Sequence, residues 1–242
     1  MCTVTFIPVQ HTVFLTHNRD EKIMRKAAAP PAIYQAGETR LMFPRDGKAG
    51  GSWIGVNANG QAAVLLNGAF HKHEPAPFYR KSRGLIFLDI LSAADIHESY
   101  QTIDLGEIEP FTLVLWNGKQ LSECRWDGEK KHTRPLSPQE AHMWSSSTLY
   151  ENEVIEARTS WFSNWLAEHP SPAGDDIMRF HLEGGEGDLS NDLRMNRDGI
   201  LMTLSITGIE MTADRAVMKY IDLKDHNMHQ QELQFLKAPV TS

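Results

Sequence analysis

Apolar and polar positions alternate from the second residue onward. Cys2-Thr3-Val4-Thr5-Phe6-Ile7 predicts a strand, Thr12-Val13-Phe14-Leu15-Thr16 predicts its partner, and Pro8 to His11 would connect them. β-branched and aromatic residues suit such a pleated, half-buried surface. Cys2 is therefore expected at the first position of a paired strand. Residues 25–40 hold an alanine run, Pro30-Pro31 and Gly37, and read as a loop. Ser52 to Val56 and Ala62 to Asn67 flank Asn59-Gly60, the strongest short hairpin signal. Leu85, Leu88, Leu91 and Ala94 recur at helical spacing, with a second short helix over 95–103.

A meander follows, with strands at 111–116, 121–126 and 130–136 separated by Asn117-Gly118 and Asp127-Gly128. His142 to Ser147 predicts another strand. Over 151–168, Val154, Ile155, Ala157, Trp161, Phe162, Trp165 and Leu166 form an apolar helical stripe. A further helix is expected at 173–183, a Gly-rich acidic loop at 184–192, and strands at 201–207 and 215–223. Residues 228–242 are polar and read as an extended C-terminal tail within one domain spanning 1–242. Hairpins alternating with helical pairs argue an α+β class, with antiparallel sheets and segregated helices.

Composition narrows the function classes. The net charge is −7, from 24 basic and 31 acidic residues, with no clustered basic face of the kind nucleic-acid proteins show. No segment has the length of a membrane-spanning helix, and the first residues lack a basic leader region. Two cysteines, Cys2 and Cys124, form no disulfide framework, so a reducing, cytoplasmic setting is expected. His71 and His73 lack further ligands at zinc spacing, and Gly47 to Gly51 lacks Walker spacing, so neither a metal nor a cofactor is expected. Arg80, Lys81 and Arg83 read as a solvated basic loop that an anionic substrate such as an acyl-coenzyme A would suit.

Cys2 carries the candidate chemistry. Initiator methionine is normally removed before a small second residue, which would leave Cys2 with a free α-amine beside its thiol. Such an amine titrates near ~7.7–8.0 and can act as a general base. Nucleophile and base then belong to one residue. His17-Asn18-Arg19-Asp20-Glu21 packs polar, mostly ionisable groups at the end of the neighbouring strand. Asp20 or Arg19 would reach the Cys2 amine or thiol across the hairpin, with the Cys2 and Asp20 side chains in hydrogen-bond reach.

The start Met1-Cys2-Thr3, the tetrapeptide Asn18-Arg19-Asp20-Glu21 and the run Gly50-Gly51-Ser52-Trp53-Ile54-Gly55 resemble the NRDE family, that of the transport and Golgi organisation protein 2. The hairpin ending at Asn67 resembles the family's next segment, and Ser145-Ser146-Ser147 resembles it more weakly. That start is similar in turn to penicillin and bile-salt acylases, N-terminal-nucleophile hydrolases that cut linear amides. The resemblance implies an αββα four-layer sandwich. It implies Cys2 as nucleophile, Asp20 as the group that orients it, and Asn67 as an oxyanion donor. His17 stands where those acylases have an arginine, with Asn18 and Arg19 beside it as candidate binding residues. Ser146 stands where they have a second asparagine, and Arg194 and Arg197 neighbour the place of a later arginine. Two readings follow: an amidohydrolase or acyltransferase acting on a small molecule, or a non-catalytic protein that binds or carries a lipid, acyl-coenzyme A or heme-type ligand.

Overall fold

The computed structural model describes residues 2–236. Met1, whose removal the N-terminal chemistry requires, and residues 237–242 of the expected tail lie outside the described residues.

The first hairpin sets the register of everything near Cys2. β1 (Cys2–Val9) and β2 (Thr12–Lys22) are longer than the alternation alone suggests. A four-residue connection at 8–11 would pair Ile7 with Thr12 and therefore Cys2 with His17. The turn instead uses only Gln10 and His11, with Gln10 at φ 53°, and pairs Val9 with Thr12. That slides β2 by two residues and sets Cys2 opposite Arg19. An even shift preserves the faces of the strand. Val4, Phe6, Leu15 and His17 thus share the face of Cys2, while Thr3, Thr5, Asn18 and Asp20 share the other.

Residues 25–40 are not a loop. They contain β3 (Ala29–Ala36), which pairs with β4 (Thr39–Arg45) across a turn at Gly37, φ 58°. Pro30 and Pro31 are tolerated because β3 is the edge of its sheet and the β3–β4 register shifts between Ala29 and Ala32. β5 (Ile54–Asn57) and β6 (Ala62–Asn67) form the Asn59-Gly60 hairpin, and β7 (Phe111–Trp116), β8 (Leu121–Trp126) and β9 (Lys131–Leu136) form the meander. In order β3-β4-β5-β6-β7-β8-β9 they make one antiparallel sheet.

The second sheet runs β10-β1-β2-β12-β13-β14, built from β10 (His142–Ser145), β12 (Leu201–Met211), β13 (Arg215–Asp222) and β14 (Met228–Gln234), with the short β11 (Asn196–Arg197) on β12. Residues 228–234 of the expected tail are thus a paired strand: Ala216 lies opposite Leu233, which is fully buried.

Helices α1 (Arg83–Leu91) and α2 (Ile96–Thr102) cover the first sheet, tied by Asn57 Nδ2 donating to Leu91 O and Tyr100 OH donating to Arg125 O. Helices α3 (Asn152–Glu168) and α4 (Gly174–Glu183) cover the second. The layers are therefore αββα, as expected. Val4, Phe6 and Leu15 face the first sheet, where Phe6 meets Trp116 edge-on. Ile7 and Phe14 face the helices and pack on Phe162 and Phe180. No helix among the described residues is long and apolar enough to cross a membrane.

Candidate active site

Cys2 heads an inner strand where the two sheets meet, and its thiol is buried. Ser146, just past β10, donates its backbone N–H to Cys2 O and its hydroxyl to Asn67 O. One residue thereby links the head of β1 to the end of β6, which belong to different sheets. Gly68 follows Asn67 at φ 80°, and a Cβ there would meet Thr148 Cγ2 at 2.4 Å. The turn after Asn67 and the seating of residues 147–148 both need glycine.

Cys2, Arg19, Asp20 and Asn67 open on one cavity of about 430 Å3. Its wall comes from the Gly50-Gly51-Ser52-Trp53 run and the start of α1. A Cβ on Gly51 would lie 2.4 Å from the backbone of Gly84, so that run holds glycine where two backbones touch. Trp53 lies beneath the Arg19 guanidinium, 4.3 Å from ring centroid to Cζ. Arg19 is also held by Asp46 at 2.6 Å, and Arg25 reaches the same carboxylate at 3.0 Å. Burial works to raise the Asp46 carboxyl, but hydrogen bonds from Arg25 and the Ala49 N–H, with the Arg19 charge, hold it below the usual range.

The sheet faces divide the candidate residues. The Asp20 carboxylate lies on the helix-facing side, so the expected direct contact with the Cys2 thiol is not made. Asp20 accepts instead from Tyr150 OH and from Thr203 Oγ1, each at 2.7 Å. It stands one register step beyond the partner of Cys2. Burial pushes its carboxyl up, opposed by the Thr203 bond, the Arg158 charge and the Tyr150 bond. Burial also pushes the Cys2 thiol up; the Asp20 charge adds to this and the Arg19 charge opposes it.

His17 is buried on the inner face against Trp53, with ring centroids 6.4 Å apart. Burial, reinforced by the Arg19 charge, drives its pKa well below the ordinary value, so the ring is neutral. Asn18 faces the helices: its amide donates to His181 O and Leu193 O, and its Oδ1 meets His181 Nδ1 at 2.6 Å. Cys2, Arg19, Asp20 and Asn67 are thus brought together, whereas His17, Asn18 and Ser146 brace the strands around them and are not in the cavity wall. Of the basic loop, Lys81 and Arg83 line the cavity, while Arg80 pairs with Asp104. Arg197 donates to Leu149 O, and Arg194 borders a separate cavity beside Leu182 and Met195.

Sequence reading missed Asp46, Tyr150, Arg158 and Thr203. Arg158 is fully buried in α3, donates to Thr3 Oγ1, Asn191 O and Asp192 O, and stacks 3.7 Å over the Tyr150 ring. A signal existed: Val154, Arg158 and Phe162 follow at spacings of four, placing a cation on the helix's inward stripe.

Two tests follow from these bonds. Tyr150→Phe leaves an Asp20 oxygen without its donor and lowers stability by about 1–3 kcal/mol, read by denaturant unfolding; an unchanged midpoint contradicts the bond. His181, between Thr5 and Asn18, is held by burial at a pKa of about 3 against 6.5. A depressed histidine contributes stability that is complete above pH 6.5 and lost as pH falls toward 3. Unfolding free energy measured between pH 6.5 and 4 should therefore fall less steeply in His181→Gln, by up to ~1.4 kcal/mol per pH unit. Parallel curves for the two proteins would rule this out.

Solved structures share this architecture. A penicillin V acylase from Agrobacterium tumefaciens superposes with a TM-score of 0.56 at 12% identity, over 95% of this chain and 85% of that one. A Caenorhabditis elegans N-acylethanolamine-hydrolyzing acid amidase ortholog gives 0.60 at 12%, over 86% and 92%. A conjugated bile acid hydrolase from Clostridium perfringens gives 0.59 at 8%, over the whole of both chains. At these identities the likeness establishes the N-terminal-nucleophile hydrolase fold. No match is found among curated proteins. The sequence profile of one family matches residues 1–209, which include Cys2, Asp20, Asn67 and Ser146. The chain belongs to the Transport and Golgi organisation 2 family.

Proposed function

We propose that the protein is an N-terminal cysteine amidohydrolase or acyltransferase acting on a linear amide or acyl substrate. The observation that carries this reading is the placement of Cys2 at the head of an inner strand, opening on one cavity with Arg19, Asp20 and Asn67. The acylase, amidase and hydrolase named above share the fold, which supports it.

In this mechanism Met1 is removed and the α-amine of Cys2 takes the thiol proton. Sulfur bonds to the substrate carbonyl carbon, and Asn67 Nδ2 donates to the developing oxyanion. The amine then passes the proton to the leaving nitrogen as the C–N bond breaks. Water or another acceptor gives a proton to the amine as it adds to the thioester, and the amine returns that proton to sulfur as the C–S bond breaks. Arg19, directly opposite Cys2, favours the thiolate against the effect of burial. Asp20, one register step further along β2, serves the amine end of Cys2 rather than its sulfur. A cytoplasmic setting would keep Cys2 and Cys124 reduced.

The test is amine release from linear amides by the wild-type protein, compared with Cys2→Ala. Equal release by both removes the proposal. A second reading, a ligand carrier on an inherited hydrolase fold, is favoured by Ser146, whose hydroxyl is taken up by Asn67 O and Thr148 rather than offered to the cavity.

A further inference from the structure

We infer that the Cys2 cavity takes a small hydrophilic amide bearing both an ammonium and a carboxylate, and rejects long acyl chains. This rests on Cys2 marking the functional cavity and extends that reading to the substrate class.

The walls carry the argument. Four cations line the cavity: Arg19, Arg25, Lys81 and Arg83. Three carboxyl groups line it with them, Glu21, Asp46 and Glu109, whereas the Asp20 carboxyl is turned to the helix side and bonded to Tyr150 and Thr203. Both signs are available at different depths. The Arg19–Asp46 pair is almost closed to solvent, with both side chains 8% exposed. Glu21, Arg25, Lys81 and Glu109 are between 22% and 33% exposed, so they can exchange water for ligand. Arg83 spans the two zones: it is paired with Glu109 at 3.0 Å, and the charges of Cys2 and Glu21 both bear on it. A zwitterion can meet such a wall with each charge opposite its complement.

An alkyl chain finds little to pack on. Binding a chain gains about 0.8 kcal/mol per buried CH2 only where the wall is apolar. Apart from Cys2 and two glycines, the apolar groups here are Ala49, Leu65, the ring of Tyr79 and Trp53, and Trp53 is covered by Arg19. Seating a chain would instead strip water from ionised groups without replacing their hydrogen bonds. Met24 and Phe78, next in sequence to the lining residues Arg25 and Tyr79, are exposed rather than part of the wall. The volume, about 430 Å3, is in the lower half of the usual range for small-molecule sites and suits a small ligand.

Two probes with the same glycine leaving group separate the cases: γ-L-glutamylglycine, which carries the extra ammonium and carboxylate, and N-decanoylglycine. Binding is measured by calorimetry on Cys2→Ala, which needs no turnover, and glycine release is measured on the wild type. The expected result is at least about tenfold tighter binding of γ-L-glutamylglycine, a difference of ~1.4 kcal/mol. Equal or tighter binding of N-decanoylglycine, or no binding of either at millimolar concentration, overturns the inference. Selective binding of γ-L-glutamylglycine without glycine release upholds the ligand class and refutes the hydrolase reading. Release from N-decanoylglycine alone does the reverse.

Discussion

Cys2→Ala is expected to lower acyl transfer by about 10^4–10^6-fold, the scale at which removal of a nucleophile acts, while the protein stays folded. The two effects separate for a physical reason. Replacing the thiol by hydrogen removes one buried sulfur and leaves a small void, a cost of about 1 kcal/mol. The backbone of residue 2 remains paired with β2 and still accepts from the Ser146 N–H. Catalysis has no substitute, because the α-amine that remains has no thiol to deprotonate. Cys124→Ala is the control. Its thiol lies 3.8 Å from Thr133 Oγ1 in the other sheet, outside the cavity wall, and burial pushes its pKa up to about 12. It should leave turnover unchanged. Turnover that survives in Cys2→Ala contradicts the mechanism.

The second large effect is structural. Arg158→Ala should cost about 3–5 kcal/mol of unfolding free energy at neutral pH, because it leaves buried polar groups without compensation. The guanidinium holds three oxygens from two separate segments: Thr3 on β1 and the adjacent carbonyls of Asn191 and Asp192. It also stacks on Tyr150 and lowers the pKa of Asp20, opposing the effect of burial. Losing it orphans the carbonyls, frees the ring that donates to Asp20, and leaves the Thr203 and Tyr150 bonds to oppose the burial of that carboxyl without the Arg158 charge. Arg158→Lys keeps the charge but not the fork of donors, and should recover only part of the loss. A loss below about 1 kcal/mol in Arg158→Ala, measured by denaturant unfolding, would show that the network is not a source of stability.

How much of this the sequence discloses depends on the range of the interaction. Alternation and dipeptide turns are local, and they place β1, the Asn59-Gly60 hairpin and the meander correctly. The β3–β4 hairpin escapes them because an edge strand tolerates Pro30-Pro31, which elsewhere marks a loop. The register of Cys2 turns on two residues: the length of the first turn decides between His17 and Arg19 as its neighbour, and Pro8 gives no hint that the strand continues through it. Cys2, Asp20 and Asn67 are legible because they stand in short motifs, and the cavity does collect them. The faces are harder to read. Placing Asp20 away from the thiol follows from pleat parity once the register is known. Its true partners, Tyr150 and Thr203, are 130 and 183 residues away and leave no periodic trace. Asp46 is hidden likewise, because it meets Arg19 only once two sheets have stacked.

The measurement that tests the central claim most directly is the intact mass of the protein from a bacterial cytosol, before and after a mild thiol-directed acylating probe. The account predicts a chain beginning at Cys2 that gains a single adduct, mapped to Cys2 and absent in Cys2→Ala. A chain that keeps Met1, with no preference of the probe for Cys2, would contradict it.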